Sequence, residues 1–300
     1  MLTTWIMRDG VASVQDGVRA DAELRDAVWI DLLNPTAEEE RAVQRALSLE
    51  IPTREEMQEI ESSSRLYREE GALFLTANFL YGVDDGEYGS TPMTFVLAPR
   101  NLVTVRYATP KAVSVFCARA RRNSQELLSS PDRVMLEIFE QVVDRLADIL
   151  ERQGTDMDAA SRAAFRSAKS KTKANRRDAD LRGTLITLGQ VGEVTSRANE
   201  TLLGLSRILT FLTVEKNALI RKENAGTMKT LARDLRSLVD HANFLANKAT
   251  FLLDAILGII NIDQNGIIKT FTVASVALMP PTLVASIYGM NFEFMPELKW

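Results

Sequence analysis

Neutral oxygen-bearing side chains recur at a helical spacing near the end of the sequence, where they can bond water or neighbouring helices. Between Lys269 and Glu293 lie 23 residues that carry no charge. Four of the five Ser and Thr hydroxyls in this run fall on one line of alternating three- and four-residue steps. The line, which we name the polar seam, consists of Asn265, Ile268, Thr272, Ser275, Met279, Thr282 and Ser286. Because a hydroxyl in lipid needs a hydrogen-bond partner, the seam is expected to face other helices or water.

The uncharged run is long enough to cross a membrane once. As a helix it would extend about 34 Å, whereas the hydrocarbon core of a bilayer is roughly 30 Å thick. Uncharged runs in soluble proteins are usually about 10–14 residues long, so the sequence predicts a transmembrane helix at about residues 268–289. The heptad spacing of the seam favours several copies in a left-handed bundle. The pattern alone fits both a helix-packing seam and a pore lining.

The end of the run carries two adjacent motifs that resemble the CorA family of divalent-cation channels. Tyr288–Asn291 reads YGMN, Met295–Leu298 reads MPEL, and Met279–Thr282 supplies a matching MPPT before them. GMN alone would be a weak signal, but the whole string in this order is highly specific. The resemblance extends upstream through Trp29–Leu32, Thr53–Arg65, Leu102–Arg106 and Asn261–Lys269. It therefore covers nearly the whole chain.

The CorA resemblance implies a funnel-like homopentamer that conducts Mg²⁺, and also Co²⁺ and Ni²⁺, passively down the electrochemical gradient. The first transmembrane helices would line the pore with the polar seam and Phe271. Gly289, Met290 and Asn291 would form the selectivity filter at the extracytoplasmic entrance. Cytoplasmic Mg²⁺ would hold the gate shut. The partners implied are membrane lipid, divalent cations and further copies of the chain, with Mg²⁺ as transported and regulatory ion and no organic cofactor.

Neutral acceptors suit the predicted filter because Mg²⁺ gives up its water shell reluctantly. The Asn291 carboxamide would bond that shell without stripping it, and Asn265 is the second amide assigned to the ion. Gly289 would let the chain turn sharply out of the helix, near the left-handed conformation of an ordinary helix end. Glu293 and Glu297 belong to the mouth loop, where Glu297 would concentrate cations.

Charge predicts the orientation of the span. Lys269 stands before the uncharged run, and Glu293 and Glu297 stand beyond it. This pattern is typical of a cytoplasmic N-terminal domain and an outward-facing acidic loop. The CorA resemblance implies that the membrane is a bacterial inner (plasma) membrane. The opening residues also lack the basic and apolar build of a signal peptide. The resemblance implies that acids between subunits bind the regulatory Mg²⁺, and Asp234 and Asp240 are nearest the family's stalk region.

The CorA family has a second transmembrane helix after the MPEL loop, whereas this sequence ends at Trp300. We therefore expect the sequence to be a truncated form or a fragment of a longer reading frame. Two alternatives for the function stay open. One is a zinc-transporting relative with the same architecture, and the other is a non-conducting, single-pass oligomeric sensor or scaffold.

Residues 1–130 are expected to form a cytoplasmic α/β sheet domain. Its β-rich runs lie at residues 2–7, 27–32, 72–81, 93–97 and 102–107. Thr36 with Glu39, and Thr53 with Glu56, predict two helix-capping boxes. We interpret Asp31 and the acids at 55, 56, 59 and 61 as helix caps and solvated faces, not as a catalytic or metal site.

Beyond residue 130 the sequence predicts long helices, which makes the fold class α+β. The 148 residues from 132 to 279 contain no proline, the strongest helix breaker. Residues 131–225 are expected to form long antiparallel helices, the second over roughly 184–222. Residues 226–300 are expected to hold a stalk helix that continues into the transmembrane helix and the mouth loop.

Composition excludes most catalytic sites. One histidine, His241, and one cysteine, Cys117, leave no histidine pair and no cysteine–histidine nucleophile. We interpret His241 as an exposed stalk residue and Cys117 as a small core residue. No phosphate-cradling glycine loop occurs, so neither an enzyme nor an ATP-driven pump is predicted. The segment from Arg162 to Arg182 contains eight basic and two acidic residues, with Phe165 as its one aromatic residue. Because nucleic-acid-binding segments interleave aromatic residues with basic ones, we predict a solvated arm and no nucleic-acid partner.

Overall fold

The structure is a computed structural model of the chain. It describes residues 1–8, 10–169, 174–215 and 219–290, with the backbone alone at 167–169 and 174–178. The chain divides into two compact units, which we call unit 1 and unit 2. Unit 1 consists of Met1–Ala159 and Thr187–Thr250, and unit 2 consists of Ala160–Ile186 and the chain from Phe251 onward. The sheet lies in unit 1 and the predicted membrane span in unit 2.

Within the described residues, seven strands form one mixed sheet. In chain order they are β1 (Leu2–Arg8), β2 (Val11–Asp16), β3 (Trp29–Leu33), β4 (Leu66–Glu69), β5 (Ala72–Tyr81), β6 (Gly89–Leu97) and β7 (Leu102–Arg106). Their order across the sheet is β2-β1-β3-β7-β6-β5-β4, with β3 and β7 parallel and the other neighbouring pairs antiparallel. The sequence patterns predicted all but β2 and β4. These two are the edge strands, where one open edge and a partly exposed surface weaken the apolar signal.

Six shorter helices accompany the sheet in the part of the chain that the structure describes. They are α1 (Asp21–Asp26), α2 (Ala37–Leu47), α3 (Arg54–Met57), α4 (Ser62–Arg65), α5 (Lys111–Arg122) and α6 (Ser124–Leu127). Both predicted capping boxes are confirmed. Before α2, the Glu39 N–H donates to Thr36 Oγ1 at 3.3 Å, and the Thr36 N–H donates to Glu39 Oε2 at 2.9 Å. Thr53 and Glu56 make the same pair of bonds before α3, and the acids at 55, 56, 59 and 61 are exposed, as predicted.

Aromatic contacts hold two helices against the sheet. Trp5 and Trp29 stack with their ring centroids 5.1 Å apart, and Phe116 of α5 meets Trp29 edge-on at 5.4 Å. Phe95 meets Phe139 of the long helix α7 (Pro131–Lys169) at 4.9 Å. All five side chains are buried. Such large buried rings contribute much of the apolar burial of a core, so they fix α5 and α7 on the sheet.

The interpretation of Asp31 as a helix cap or a solvated acid is wrong, because its side chain is buried between β3 and β7. Arg106 forms a two-pronged ion pair with it, through Nε to Oδ1 at 2.9 Å and Nη2 to Oδ2 at 2.7 Å. Thr104 Oγ1 also donates to Asp31 Oδ1 at 2.7 Å, and the Trp29 indole N–H donates to Thr104 Oγ1 at 3.0 Å. Asp31 and Arg106 lie 75 residues apart in sequence and meet only because β3 pairs with β7.

Replacing one partner of this pair is expected to destabilise the sheet strongly. Arg106→Met should cost about 3–5 kcal/mol, because it leaves the buried Asp31 carboxylate without a counter-ion. Adding Asp31→Leu should recover part of the loss, since the second change removes the uncompensated charge. Urea denaturation of the chain in detergent, followed by tryptophan fluorescence, measures both effects. The matched control is Arg41→Met on the exposed face of α2, and equal stability of the two Arg→Met variants would contradict the prediction.

The described residues also form three long helices: α7, α8 (Ala174–Val214) and α9 (Ala225–Tyr288). Within unit 1, α7 and α9 run parallel, since Arg133 bonds Thr227 at 3.4 Å and Asp158 bonds Lys248 at 2.5 Å. The intervening helix α8 runs the other way. Its Asn199 side chain bonds Asn243 of α9 at 3.0 Å, whereas the earlier residue Gly192 of α8 approaches the later residue Ala249 of α9.

The stalk and the predicted membrane helix are one element, which confirms their predicted continuity. The helix α9 extends over 64 residues without a break. Its His241 is exposed, as predicted, and stacks on Phe244 with 6.3 Å between the rings. The helix α8 begins at Ala174, before the predicted start near residue 184, because Gly183 does not interrupt it.

Candidate ion pathway

The C-terminal half of α9 positions the polar seam. Among the described residues, the stretch Lys222–Tyr288 forms one helix that is long and apolar enough to cross a membrane, and its most apolar window has no buried residue. From Asn265 to Met290 every described side chain is exposed in the single chain, including Phe271 at 70% and Met279 at 67%. Large apolar side chains in this state require cover by lipid or by other protein.

The seam residues share one face of α9 because their three- and four-residue steps match the helical turn. In the single chain their threonines bond their own helix: Thr272 Oγ1 donates to the Ile268 carbonyl at 2.9 Å, and Thr282 Oγ1 donates to the Leu278 carbonyl at 2.8 Å. Thr270, which lies off the seam, makes the same bond to Gly266 at 3.0 Å. Each hydroxyl keeps acceptor lone pairs that can bond water. Seam and off-seam threonines therefore differ in the face they occupy and not in their local bonding.

Two prolines interrupt the hydrogen-bond ladder of α9 within the span. Pro280 and Pro281 lie inside the helix, and proline has no N–H to donate to the carbonyl four residues earlier. The carbonyls of Val276 and Ala277 therefore lose their usual helical donors. This interruption lies beside Met279 of the seam, so the span is expected to bend most easily at the position of that side chain.

The end of α9 differs from the expectation for Gly289. The helix ends at Tyr288, but the Gly289 N–H still donates to the Ala285 carbonyl at 2.9 Å, and Gly289 does not adopt the left-handed conformation expected of it. A side chain at this position would instead crowd the helix, since an added Cβ would lie 3.1 Å from the Ala285 carbonyl oxygen. The small size of glycine avoids this tight contact, and no left-handed backbone angle is involved. Met290 is exposed at the tip, and Asn291, Glu293 and Glu297 lie outside the described residues.

The seam spacing continues upstream of Asn265, which the sequence analysis missed. The same steps of three and four residues lead backward through Asn261, Gly258, Asp254, Phe251, Asn247, Phe244 and Asp240. All but the partly covered Gly258 are exposed. The charged residues around these positions interrupt the apolar signal, so a search guided by hydropathy stops at Asn265. The spacing alone would have found them.

The two acids assigned to regulatory Mg²⁺ are exposed but occupy different faces of α9. Asp234 and Asp240 are six residues apart, which turns a helix by about 240°. Asp240 lies on the upstream line of the seam. Asp234 is close to Asp144 of α7, whose carboxyl has a raised pKa because of burial first, then the charges of Asp148 and Asp234. Among the described residues of one chain, no group of three or more His, Cys, Asp or Glu side chains is placed to hold a metal ion.

Comparison with known proteins decides which family this architecture represents. The family model described as CorA-like Mg²⁺ transporter protein matches residues 25–300. The chain belongs to the CorA family. The magnesium transport protein CorA of Sodalis glossinidius (strain morsitans) is 35% identical over 94% of this chain and 87% of its own length. CorA membership assigns the chain to Mg²⁺ transport.

Solved structures show the same fold at low sequence identity. The complete structure of the CorA magnesium transporter from Methanocaldococcus jannaschii has a TM-score of 0.73 and 16% identity, over 99% of this chain and 89% of that one. The cytoplasmic domain of ZntB from Vibrio parahaemolyticus has a TM-score of 0.62 and 8% identity, over 87% and 98%. These likenesses confirm the predicted CorA-type fold class, a sheet domain followed by long helices. The Mg²⁺ assignment comes from the family and its curated relatives.

Proposed function

We propose that five copies of the chain assemble around the polar seam to form a passive channel for Mg²⁺ that also admits Co²⁺ and Ni²⁺. The observation that carries the proposal is the polar face of α9, which is exposed along the whole membrane span of a CorA-family chain. No energy source besides the membrane potential is needed. A divalent cation that crosses a potential of about 100 mV gains roughly 4.6 kcal/mol.

Exposed apolar side chains on the stalk support assembly. Phe244 and Phe251 are exposed by 58% and 63% and stand on the upstream line of the seam, well before the uncharged run begins. Lipid would not cover these rings in the cytoplasm, whereas neighbouring copies of α9 would. A helix as long as α9 also needs partner helices along its length. Asn247, which lies between these rings on the line, and Asp254, which is the next member after Phe251, would then face the axis of the assembly.

Selectivity is assigned to Asn291, with Gly289 and Met290 behind it. A ring of carboxamides would bond the water shell of Mg²⁺ without replacing it, which suits an ion that dehydrates reluctantly. Asn265 would offer a second ring of amides at the other end of the span. In the mouth loop, Glu293 and Glu297 would raise the local concentration of cations.

Gating is assigned to apolar collars on the same seam. Ile268 and Met279 would narrow the pore, with Phe271 able to swing in, and narrow apolar constrictions block ions by dewetting. The proline pair beside Met279 gives the helix a place to bend. Cytoplasmic Mg²⁺ bound between subunits, by acids such as Asp234 and Asp240, would hold the collars closed.

Growth of a Mg²⁺-transport-deficient bacterial strain tests the proposal. Expression from the full reading frame that contains this sequence should restore growth in low Mg²⁺. Rescue should require the membrane span, so a version in which residues 270–287 are replaced by an unrelated poly-leucine span should give none. A strain that stays dependent on high Mg²⁺, although the protein is folded and in the membrane, would favour the non-conducting scaffold.

The proposed inner-membrane topology, with unit 1 in the cytoplasm, predicts the outcome of cysteine labelling at position 297. Glu297→Cys should react with an impermeant maleimide from outside intact cells. The native Cys117 gives little background, because burial raises the pKa of its thiol to about 11 and the reactive thiolate is scarce at neutral pH. Cys117→Ala removes that background altogether and serves as the control. Labelling that occurs only after lysis would indicate the opposite topology, with position 297 in the cytoplasm.

A further inference from the structure

One carboxylate in unit 1 holds basic side chains from two helices. Asp84 lies in the turn between β5 and β6, and its Oδ2 accepts from Lys111 Nζ of α5 at 2.6 Å. Its Oδ1 accepts from Arg145 at 2.5 Å and from Arg152 at 3.2 Å, both on α7. The bond from Lys111 is the chief reason that the pKa of Asp84 lies well below its usual range. The single negative charge of Asp84 is therefore paired with the three positive charges of Lys111, Arg145 and Arg152.

The turn that carries Asp84 is shaped by backbone features of its own. Gly82 adopts a left-handed φ of 73°, and a Cβ there would lie 2.1 Å from the Glu87 carbonyl oxygen. The Asp85 N–H closes the turn by donating to the Gly82 carbonyl at 3.2 Å. Because these features do not involve the Asp84 side chain, its charge can be removed without removing the turn.

A cavity of about 320 Å³ opens beside this cluster. Lys111 and Arg145 line it on the charged side together with the carboxylates of Asp84 and Asp85. Phe79, Val142 and Leu146 form its apolar wall. The Arg145 side chain is only 24% exposed, so its charge is screened less than that of a surface arginine. Pockets for small organic molecules start at about 300 Å³ and combine apolar walls with a few fixed polar groups. The size and the lining of this cavity fit that description.

We propose that the cavity binds a small organic oxyanion, a phosphate or carboxylate carried on an aromatic or aliphatic body. The oxyanion bonds the Arg145 guanidinium and the Lys111 ammonium, and the body contacts Val142 and Leu146. Guanidinium groups bind phosphate and carboxylate alike through paired N–H donors. Asp84 competes with the ligand for the same donors. The site is separate from the seam on α9 and does not depend on the proposed channel activity.

Calorimetric titration of the purified chain in detergent tests the site with four probes. Phenyl phosphate and benzoate carry both the charge and an aromatic body, inorganic phosphate carries the charge alone, and benzyl alcohol carries the body alone. We expect at least one aromatic anion to bind, more tightly than inorganic phosphate, and benzyl alcohol not to bind. The tighter anion identifies the preferred oxyanion. Failure of both aromatic anions to bind, or equal binding of benzyl alcohol, would overturn the proposal.

Asp84→Asn separates an anion site from a purely structural ion-pair network. Removing the competing carboxylate frees its donors, so anion affinity should rise about tenfold, whereas Arg145→Gln should lower it about tenfold. Arg41→Gln on the exposed face of α2 is the matched control and should leave affinity unchanged. Unaltered affinity in both cavity variants would place the anion elsewhere and refute the site. Circular dichroism checks that each variant folds. If Asp84→Asn does not fold, the anion affinities of Lys111→Gln and Arg145→Gln are compared with that of Arg41→Gln, and both should be lower.

Discussion

Replacing Thr272 and Ser275 together by leucine is expected to abolish Mg²⁺ flux while leaving the oligomer intact. Both residues lie on the polar seam, so in the proposed pentamer each subunit would turn two leucines toward the axis. Leucine removes the oxygens that bond water and adds apolar bulk, and a narrow apolar constriction excludes ions by dewetting. If the seam only packed helices together, the larger leucine side chains would alter that packing. Oligomer size and Mg²⁺ flux would then change together. Flux from vesicles and oligomer size by light scattering distinguish the two cases.

The chain itself offers a matched control for this variant. Thr270 belongs to the same uncharged run and makes the same bond to its own helix as Thr272, but it lies off the seam. Thr270→Leu should therefore leave flux close to that of the parent. Equal flux in Thr272→Leu/Ser275→Leu and in Thr270→Leu would show that the seam does not line the pore.

Asn291→Ala is expected to abolish rescue of the Mg²⁺-transport-deficient strain. The alanine side chain has no oxygen to bond the water shell, so the proposed ring would lose its carboxamide acceptors. Entry through the ring would then depend on dehydration that Mg²⁺ resists. Growth in low Mg²⁺ should fall to the level of the strain without the protein, at equal protein amount in the membrane.

Asn123→Ala, which changes an exposed amide of unit 1, is the control for Asn291→Ala and should rescue fully. A conservative change sharpens the result: Asn291→Gln keeps the carboxamide but moves it by one methylene group, so partial rescue is expected. Full rescue by Asn291→Ala would remove the selectivity role of this residue while leaving the CorA family assignment untouched.

The sheet domain was predictable where local chemistry decides structure. Thr36 and Glu39 are close in sequence, so their residue types and spacing are enough to predict the capping box. The mostly apolar run at 72–81 likewise predicted β5 with the bounds that the structure has. The ion pair of Asp31 with Arg106 could not be predicted, because it depends on the parallel pairing of β3 with β7. Edge strands such as β4 were not predicted, because a strand with one open side has an incomplete apolar pattern.

The polar seam was predictable because spacing along one helix is a property of the sequence. Its upstream continuation through Asp254 and Asn247 was missed only because charges mask the hydropathy signal. The end of α9 shows the limit of motif reasoning. Glycine at position 289 suggested a left-handed turn, whereas its N–H still donates to the Ala285 carbonyl and its φ is not positive. The small residue avoids a tight contact with that carbonyl oxygen. Which face of α9 would meet the axis of the proposed pentamer depends on the neighbouring copies.

Mg²⁺ influx into sealed liposomes tests the central proposal most directly. The protein from the full reading frame is reconstituted with a Mg²⁺-sensitive dye inside, and an inside-negative potential is imposed with potassium and valinomycin. We predict Mg²⁺ influx that grows with the potential, requires no nucleotide and exceeds the flux of Zn²⁺ under the same conditions. Zn²⁺ influx without Mg²⁺ influx, or no flux of either ion from a folded and assembled protein, would contradict the assignment of this chain as a passive Mg²⁺ channel.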